Sequence, residues 1–406
     1  MSKVIVVGGG ASGLMAAIIA AREGASVVLL EKLSRVGKKI LATGNGRCNI
    51  SNRFADSQYY HGKNKKFILS AFNQFTVDKT INFFEEIGVH IKEESSGKLY
   101  PYSDQASSVL DLLRYELGRL QIEEICDAEV TKINRNKKGF KISTKDNKTF
   151  YSDKVIVAVG GKAAPNLGTN GAYDLVERLG HHKTNIFPAL VQIRLEADFL
   201  KALKGVKLIG CCRVLSNGKC LREEQGEILF TDYGISGPPI LQLSRKVGES
   251  IDKKESTHLS VDMIPEYTHE ELRDLLLFRY HNMPNKTVEE SLQGLMNKRL
   301  CRVLVKVANI DLQKKCSELS KKERERLIKV IKELTLKATG TQSWMNAQVT
   351  AGGILTNEVN PSTLESKYVK GLYLTGEILD IDGDCGGFNL QWAWSSGYVA
   401  GLNAAR

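Results

Sequence analysis

A short strand, a glycine turn and a helix open this chain, and that order leaves few folds available to it. Val4 to Val7 is an unbroken apolar run, Gly8-Gly9-Gly10-Ala11-Ser12-Gly13 follows, and an alanine-rich stretch runs from Leu14 to about Glu23. Gly8 permits a tight turn out of the strand, Gly10 lets the backbone approach a pyrophosphate, and Gly13 lets the helix pack closely on the sheet. Backbone N–H groups around Ala11 and Ser12, with the positive end of the helix dipole, then meet the phosphate charge. Gly24 suits the left-handed position that ends a helix. The run from Ala25 to Leu30 reads as a second strand ending in Glu31, 18 positions after Gly13 and followed by Lys32. At that distance an acidic side chain accepts from ribose hydroxyls.

An adenine ribose alone fits NAD as well as FAD, so the choice between them rests on later segments. The loop after Glu31 carries Gly37, Lys38 and Lys39, then Thr43-Gly44-Asn45-Gly46-Arg47-Cys48-Asn49. It is polar and glycine-rich, and it can lay backbone donors along a long cofactor. Near the other end, Gly376-Glu377 follows a strand and Gly386-Gly387-Phe388-Asn389-Leu390 opens a helix. Glu377 or Asp382 is placed to hold ribityl hydroxyls, and the helix that begins near Gly387 is placed to aim N–H groups at a flavin pyrimidine edge. These readings predict non-covalent FAD held by both ends of the chain.

Three long strings then resemble a known group: Gly37 to Asn49, Gly226 to Pro238, and Gly376 to Gln391. Together they resemble the BaiN/YhiN-type bacterial FAD-dependent oxidoreductase family, over almost the whole chain. The resemblance implies a Rossmann-like α/β FAD-binding domain built from both termini, interrupted by an insert of a small β-barrel and a helical subdomain. The family includes 3-dehydro-bile-acid Δ4,6-reductases and aminoacetone oxidases. Two positions depart from its pattern. Members often have His where this chain has Asp232, and Gly-Ser-Thr-Gly-Asp-Gly where it has Gly168-Thr169-Asn170-Gly171-Ala172-Tyr173. Asp232 remains a candidate acid or base if burial raises its pKa.

Along the chain, residues 67–89 read as a helix interrupted near Thr76, and 106–120 as another. Alternating strands follow, with Val130 on the one whose backbone is expected to meet the adenine by analogy with related flavoproteins. Lys154 to Val159 reads as a buried strand that delivers Gly160-Gly161 to the cofactor. No second GxGxxG follows, so a dedicated nicotinamide domain is not expected and NAD(P)H is expected only as a transient electron donor. Short strands from about 191 suit a barrel, and a helical pattern from about 266 to 338 follows. The expected division is 1–190 with 341–406 for FAD, 191–264 for the barrel and 265–340 for the helices.

The net charge of +11 raises the question of nucleic acid. Between Lys314 and Glu333, however, acids are interleaved with bases over an apolar stripe at helical spacing, the pattern of a solvated helix on a bundle. Nucleic acid is therefore not expected as a partner, and a small-molecule substrate is. No apolar run reaches the ~18 to 20 residues of a membrane span and no secretory signal is visible, so a cytoplasmic location is expected. Eight cysteines show no zinc spacing, and Asp380-Ile381-Asp382-Gly383-Asp384 fails the EF-hand pattern, so no metal is expected. Cys48 and Cys385 fall in the two loops near the expected flavin, where a redox pair is conceivable.

The candidates for proton handling or substrate polarisation are Arg47, Tyr100, Asp232 and Tyr233, with Arg47 alternatively pairing with phosphate. The leading expectation is reduction of an electron-poor carbon–carbon double bond through FAD. The alternatives are an oxidase of amines or aminoketones that makes peroxide, and a flavin-dependent RNA- or protein-binding factor.

Overall fold

The computed structural model describes residues 2–168 and 170–406. It divides into two compact units, one made of Met1–Phe187 and Ala347–Arg406, the other of Pro188–Asn346.

The core of the first unit is a five-stranded parallel sheet. Its order is Leu372–Leu374, Lys154–Val157, Lys3–Val7, Ser26–Leu30 and Glu123–Ile125. The central strands are near-continuous Val, Ile and Leu because both faces are covered, as parallel sheets require. The first helix, Ala11–Arg22, is buried from Ser12 through Ala20, which explains why it is apolar almost all round. Across it lies the terminal helix, Phe388–Ala405. Gly397 and Gly401 stand one turn apart on the contacting face, where a Cβ would come within 2.4 Å of Ser12 O and 2.5 Å of Ala16 O respectively. Only glycine permits that approach, so this seam is what joins the two ends of the chain into one domain. The predicted break near Thr76 is also present. Helices Ile68–Gln74 and Val77–Glu86 meet there, with Thr76 Oγ1 capping the second by accepting from Lys79 N.

The second unit holds a closed six-stranded barrel. Its order is Ile193–Glu196, Gly234–Ser236, Lys219–Phe230, Lys207–Ser216, Thr257–Asp262 and Leu334–Thr341. Three features differ from the sequence reading. The strands expected to be short are longer, since Lys207–Ser216 runs through Gly210 and Lys219–Phe230 through Gly226; Gly210 sits where a Cβ would meet Asp262 O at 2.7 Å, so it serves close strand approach and does not end the strand. Pro238–Asp252, inside the 191–264 span expected for the barrel, is a helix. Two prolines start it, and Ile240, Leu243, Ser244 and Val247 form its buried face. Leu334–Thr341, expected mostly as helix, is a barrel strand in which Leu334, Leu336 and Ala338 alternate inward. The helices His269–Asn282, Val288–Leu292, Lys298–Val307 and Lys321–Lys332 complete the unit, three of them started by capping boxes at Thr268, Thr287 and Ser320. Among the described residues no helix is long and apolar enough to cross a membrane.

Candidate functional site

The N-terminal turn is built by two glycines that admit no side chain and one that leaves open space. A Cβ at Gly8 would lie 2.5 Å from Ala158 O, and one at Gly13 only 1.9 Å from Gly8 O. A Cβ at Gly10 would meet nothing within 4 Å. The open position is where the first helix presents the N–H groups of its first turn. Glu31 is buried at the end of the second strand. Its two carboxylate oxygens accept from Gly9 N at 2.7 Å and Leu33 N at 2.8 Å, which fastens the turn to the sheet. Burial raises its pKa, and those backbone donors work against the rise. Beside it, Lys32 pairs with Glu129 at 2.9 Å, and Lys38 donates to Ser34 Oγ at 3.2 Å.

The loop after the short helix Lys38–Ala42 stores backbone strain. Gly44, Asn45, Gly46 and Cys48 all have positive φ, a concentration typical of ligand clamps. Thr43 Oγ1 closes its start by donating to Ile40 O at 2.6 Å. Cys48 is fully buried and its thiol is pushed up to about 12, while burial also raises the Cys385 thiol; neither is a ready thiolate. Arg47 lies over the Tyr100 ring, 4.1 Å from its centroid. Its N–H groups go to Glu94 and to Asp104, the latter at 2.8 Å from Nε, and Lys92 also pairs with Asp104. That engagement removes the expected pairing of Arg47 with phosphate, because its donors already serve two carboxylates. Tyr100 is largely buried on the strand Lys98–Pro101, and burial raises its hydroxyl pKa while Arg47 opposes the rise.

The C-terminal part supplies a second polar lining. Glu377 pairs with Lys39 at 2.8 Å and accepts from Thr350 N at 2.7 Å, and Thr350 Oγ1 accepts from Ala163 N at 2.9 Å. A Cβ at Gly161 would strike Thr350 Oγ1 at 2.4 Å, whereas Gly160 faces open space. Gly376 likewise admits no Cβ, being held against Ser12 Oγ. The buried hydroxyl of Tyr173 has no partner, and burial next to Glu377 and Asp380 holds it protonated. Sequence reasoning missed Lys39, Thr350 and Tyr173; the signal that could have found Lys39 was its place inside the glycine-lysine string. Of the Gly168 to Tyr173 segment, Thr169 lies outside the described residues.

Around the start of the terminal helix, Asp382 is buried on a short strand, Asp382–Gly383, that pairs antiparallel with Tyr60–His61. His61 Nε2 lies 2.7 Å from Asp384 Oδ1. Phe388 stacks on Tyr59 at 4.6 Å between centroids, and Leu390 is half-buried. The Asn389 side chain accepts from Gly383 N and donates to Gly383 O, stapling the turn. Gly387 has φ of +98°, and a Cβ there would meet Ser51 O at 2.2 Å and Asn49 Oδ1 at 2.9 Å. Asn49 is 8% exposed, and Oδ1 of its carboxamide has no partner.

The remaining candidates lie elsewhere. Val130 begins the strand Val130–Asn136 opposite Thr144, beside a register shift. Asp232 and Tyr233 belong to the second unit. Asp232 is exposed and paired with Lys204 at 2.7 Å, which holds its carboxyl below the ordinary range. The burial on which an acid role depended is absent, so Asp232 leaves the list of proton donors. Tyr233 is half-buried, and its carbonyl accepts from Leu195 N at 3.0 Å. No group of three or more His, Cys, Asp or Glu side chains among the described residues can hold a metal. Two open glycines, two long-helix N-termini and unengaged polar atoms on Asn49 and Tyr173 together fit a dinucleotide that carries a flavin.

The sequence matches the family described as HI0933-like protein Rossmann domain over residues 2–403. It is 41% identical to a 3-dehydro-bile acid delta(4,6)-reductase of Clostridium scindens, over 100% of this chain and 99% of that protein. It is 30% identical to a ribosomal RNA dihydrouridine synthase of Escherichia coli, over 97% of this chain and 96% of that one. Among solved structures it is similar to a 3-ketosteroid delta1-dehydrogenase from Sterolibacterium denitrificans, with a TM-score of 0.53 at 11% identity and full coverage of both chains. At that identity the likeness concerns the fold alone.

Proposed function

This chain belongs to the HI0933-like family of FAD-dependent oxidoreductases, and from that premise we propose that it reduces a carbon–carbon double bond conjugated to a carbonyl, with NAD(P)H as a transient electron donor. The observation that carries the reading is the 41% identity, end to end, to a reductase of such a bond. When bound, FAD would supply two-electron hydride chemistry between a nicotinamide and the conjugated double bond. The turn at Gly8 to Gly13 and the first helix would hold its pyrophosphate, Glu31 braces that turn, and Glu377 with Lys39 would line the ribityl side. We assign the proton for the α-carbon to the Tyr100 hydroxyl, a phenol that is protonated at neutral pH and whose pKa burial raises further. Arg47 over its ring stabilises the negative charge left on the oxygen, and solvent returns the proton. In balance, NAD(P)H and one proton are consumed, and NAD(P)⁺ and the saturated ketone are formed.

A second reading, reduction of a pyrimidine double bond in RNA, is favoured by one structural observation. The helix Lys298–Val307 has no acidic residue, and Lys298, Arg299, Arg302 and Lys306 are all exposed. One experiment separates the readings. The flavin is reduced anaerobically with NADH or NADPH and then mixed with a steroid-type enone or with transcribed ribosomal RNA. Reoxidation by the enone supports the first reading; reoxidation by RNA alone, in a salt-dependent manner, replaces it with the second. Resistance to both nicotinamides, with peroxide formed from an amine, sinks both in favour of an oxidase.

A further inference from the structure

One face of a small sheet gathers four charges around a single phenol. The strands Ile91–Glu93 and Lys98–Pro101 run antiparallel with Lys92 directly opposite Tyr100, so the two side chains share a face. Glu94, two positions after Lys92, lies 3.7 Å from its Nζ. Asp104 comes from the turn after Pro101, where its N–H donates to Pro101 O and its φ is +53°, a left-handed value. Lys92 Nζ donates to Asp104 Oδ2 at 2.5 Å. Arg47 enters between these groups from its own loop. Its Nη1 donates to Glu94 Oε2 at 3.3 Å, its Nε to Asp104 Oδ1 at 2.8 Å, and its Nη2 to both carboxylates, while its guanidinium carbon stays 4.1 Å from the Tyr100 centroid.

An arginine that only closed a surface loop would be satisfied by one carboxylate; here two converge on it from separate segments. Arg47 holds the Glu94 carboxyl below the usual range, and Lys92 with Arg47 does the same for Asp104, so both are ionised at neutral pH. A bare guanidinium beside a phenol favours the phenolate. Two cations against two carboxylates leave the cluster without net charge, so the ring contact is kept while the pull on the phenol proton is offset. We propose that Glu94 and Asp104 are positioning residues for the Tyr100 proton, holding the Arg47 guanidinium over the ring and balancing its charge. The inference rests on the assignment of the proton to Tyr100 and extends it to two residues that act through Arg47. The Cys385 thiol, kept neutral by burial, and Lys98 beside it also face this site, and both are common to every variant compared below.

The test reads the Tyr100 proton directly, in the FAD-loaded protein carrying carbon-13 at tyrosine Cζ and titrated with base; the signal is assigned by its loss in Tyr100→Phe. Asp104→Asn removes a charge but keeps an acceptor for Arg47, and asparagine tolerates the left-handed backbone. Asp104→Asn and Glu94→Gln are each expected to lower the Tyr100 pKa by at least about half a pH unit, and Arg47→Gln to raise it. An unchanged or raised pKa in either carboxylate variant overturns the proposal. The same proteins, with the flavin reduced beforehand, are then mixed with a steroid-type enone across alkaline pH. Because a proton donor is lost as pH rises through its pKa, the fall in rate is expected at a lower pH in Asp104→Asn, by the same amount as the NMR titration moves. A Tyr100 pKa that moves while the rate profile stays still would sink the assignment of the reaction's proton to Tyr100 and leave the charge arrangement standing.

Discussion

Gly10 and Gly13 stand three positions apart in one turn, yet a side chain at each has opposite consequences. Gly10 has φ of −78° and open space where its Cβ would be, so Gly10→Leu is compatible with the fold. The variant is expected to melt with the wild-type apoprotein and to purify without flavin absorption; a yellow variant would contradict the placement of the pyrophosphate. Gly13→Ala collides with a backbone carbonyl and is expected to cost at least ~1–3 kcal/mol in stability, read by chemical denaturation. Tyr100→Phe is expected to slow enone reduction by about 10² to 10⁴ while leaving flavin reduction by nicotinamide unchanged, in a two-step stopped-flow measurement. Full turnover would remove Tyr100 from the mechanism. At this scale the glycines were legible in the sequence because each marks a missing Cβ. Asp232 misled, as did the phosphate pairing considered for Arg47, because motif position says nothing of exposure or of competing partners, here Lys204 for one and Glu94 with Asp104 for the other.

The seam between the first and terminal helices makes a prediction that reverses ordinary helix propensity. Gly→Ala inside a helix normally stabilises by ~1 kcal/mol. At Gly401 the new methyl would lie 2.5 Å from Ala16 O, so Gly401→Ala is expected to lower the melting temperature, and a rise would remove the close-approach account. A second junction joins the segment after Asp174–Glu177 to the turn Thr356–Glu358. There His181 is fully enclosed, with Nδ1 3.1 Å from Glu358 Oε2 and Nε2 2.8 Å from Ser366 Oγ. Burial lowers the His181 pKa, against the opposing pull of Glu358. Burial likewise opposes ionisation of Glu358, but hydrogen bonds from His182 and His181 prevail and hold it below the usual carboxylate range. Because the unfolded chain binds the His181 proton more readily, that contribution is fully present above about pH 6.5 and is lost as pH falls through the lower folded value. The Glu358 share follows at more acid pH, as pH drops from about 4.5 through its own lowered value. Melting curves from pH 8 to 4 should show wild type losing stability below pH 6.5 more steeply than His181→Gln; parallel profiles would clear His181. Elements with a strong single period, such as the helix with its break at Thr76, were legible in advance. Pro238–Asp252 was not, because it lies among short barrel strands and opens with two prolines, which suit the first turn of a helix as well as a turn. Leu334–Thr341 was not, because its two-residue alternation follows directly on a helical stripe.

At the scale of the whole molecule, the five-stranded sheet draws strands from both sides of a long insertion. The chain leaves and re-enters this unit at neighbouring points, since Thr184 N donates to Gly353 O at 2.9 Å and Lys183 bridges to Ile354. Replacing residues 188–346 by a short flexible linker is therefore expected to leave a folded protein that still binds FAD, because closing a shorter loop there adds little strain. Absorption and melting of the excised chain would check this, and an unfolded product would show that the first unit depends on the insertion. That both ends build one domain was readable from two glycine turns alone; the irregular middle was not, since barrel strands carry only short, weak patterns. The terminal helix also orders events in time. Ser51 Oγ meets Gln391 Oε1 across 340 positions of chain, and at about 5–20 residues per second a ribosome needs roughly 20 to 70 seconds between them. On the proposed placement of the cofactor, the nascent chain has for that interval a phosphate turn and not yet a place for the ring. An interrupted or clipped product is then expected to stay colourless, with electron transfer only in molecules whose synthesis was carried through to the final helix.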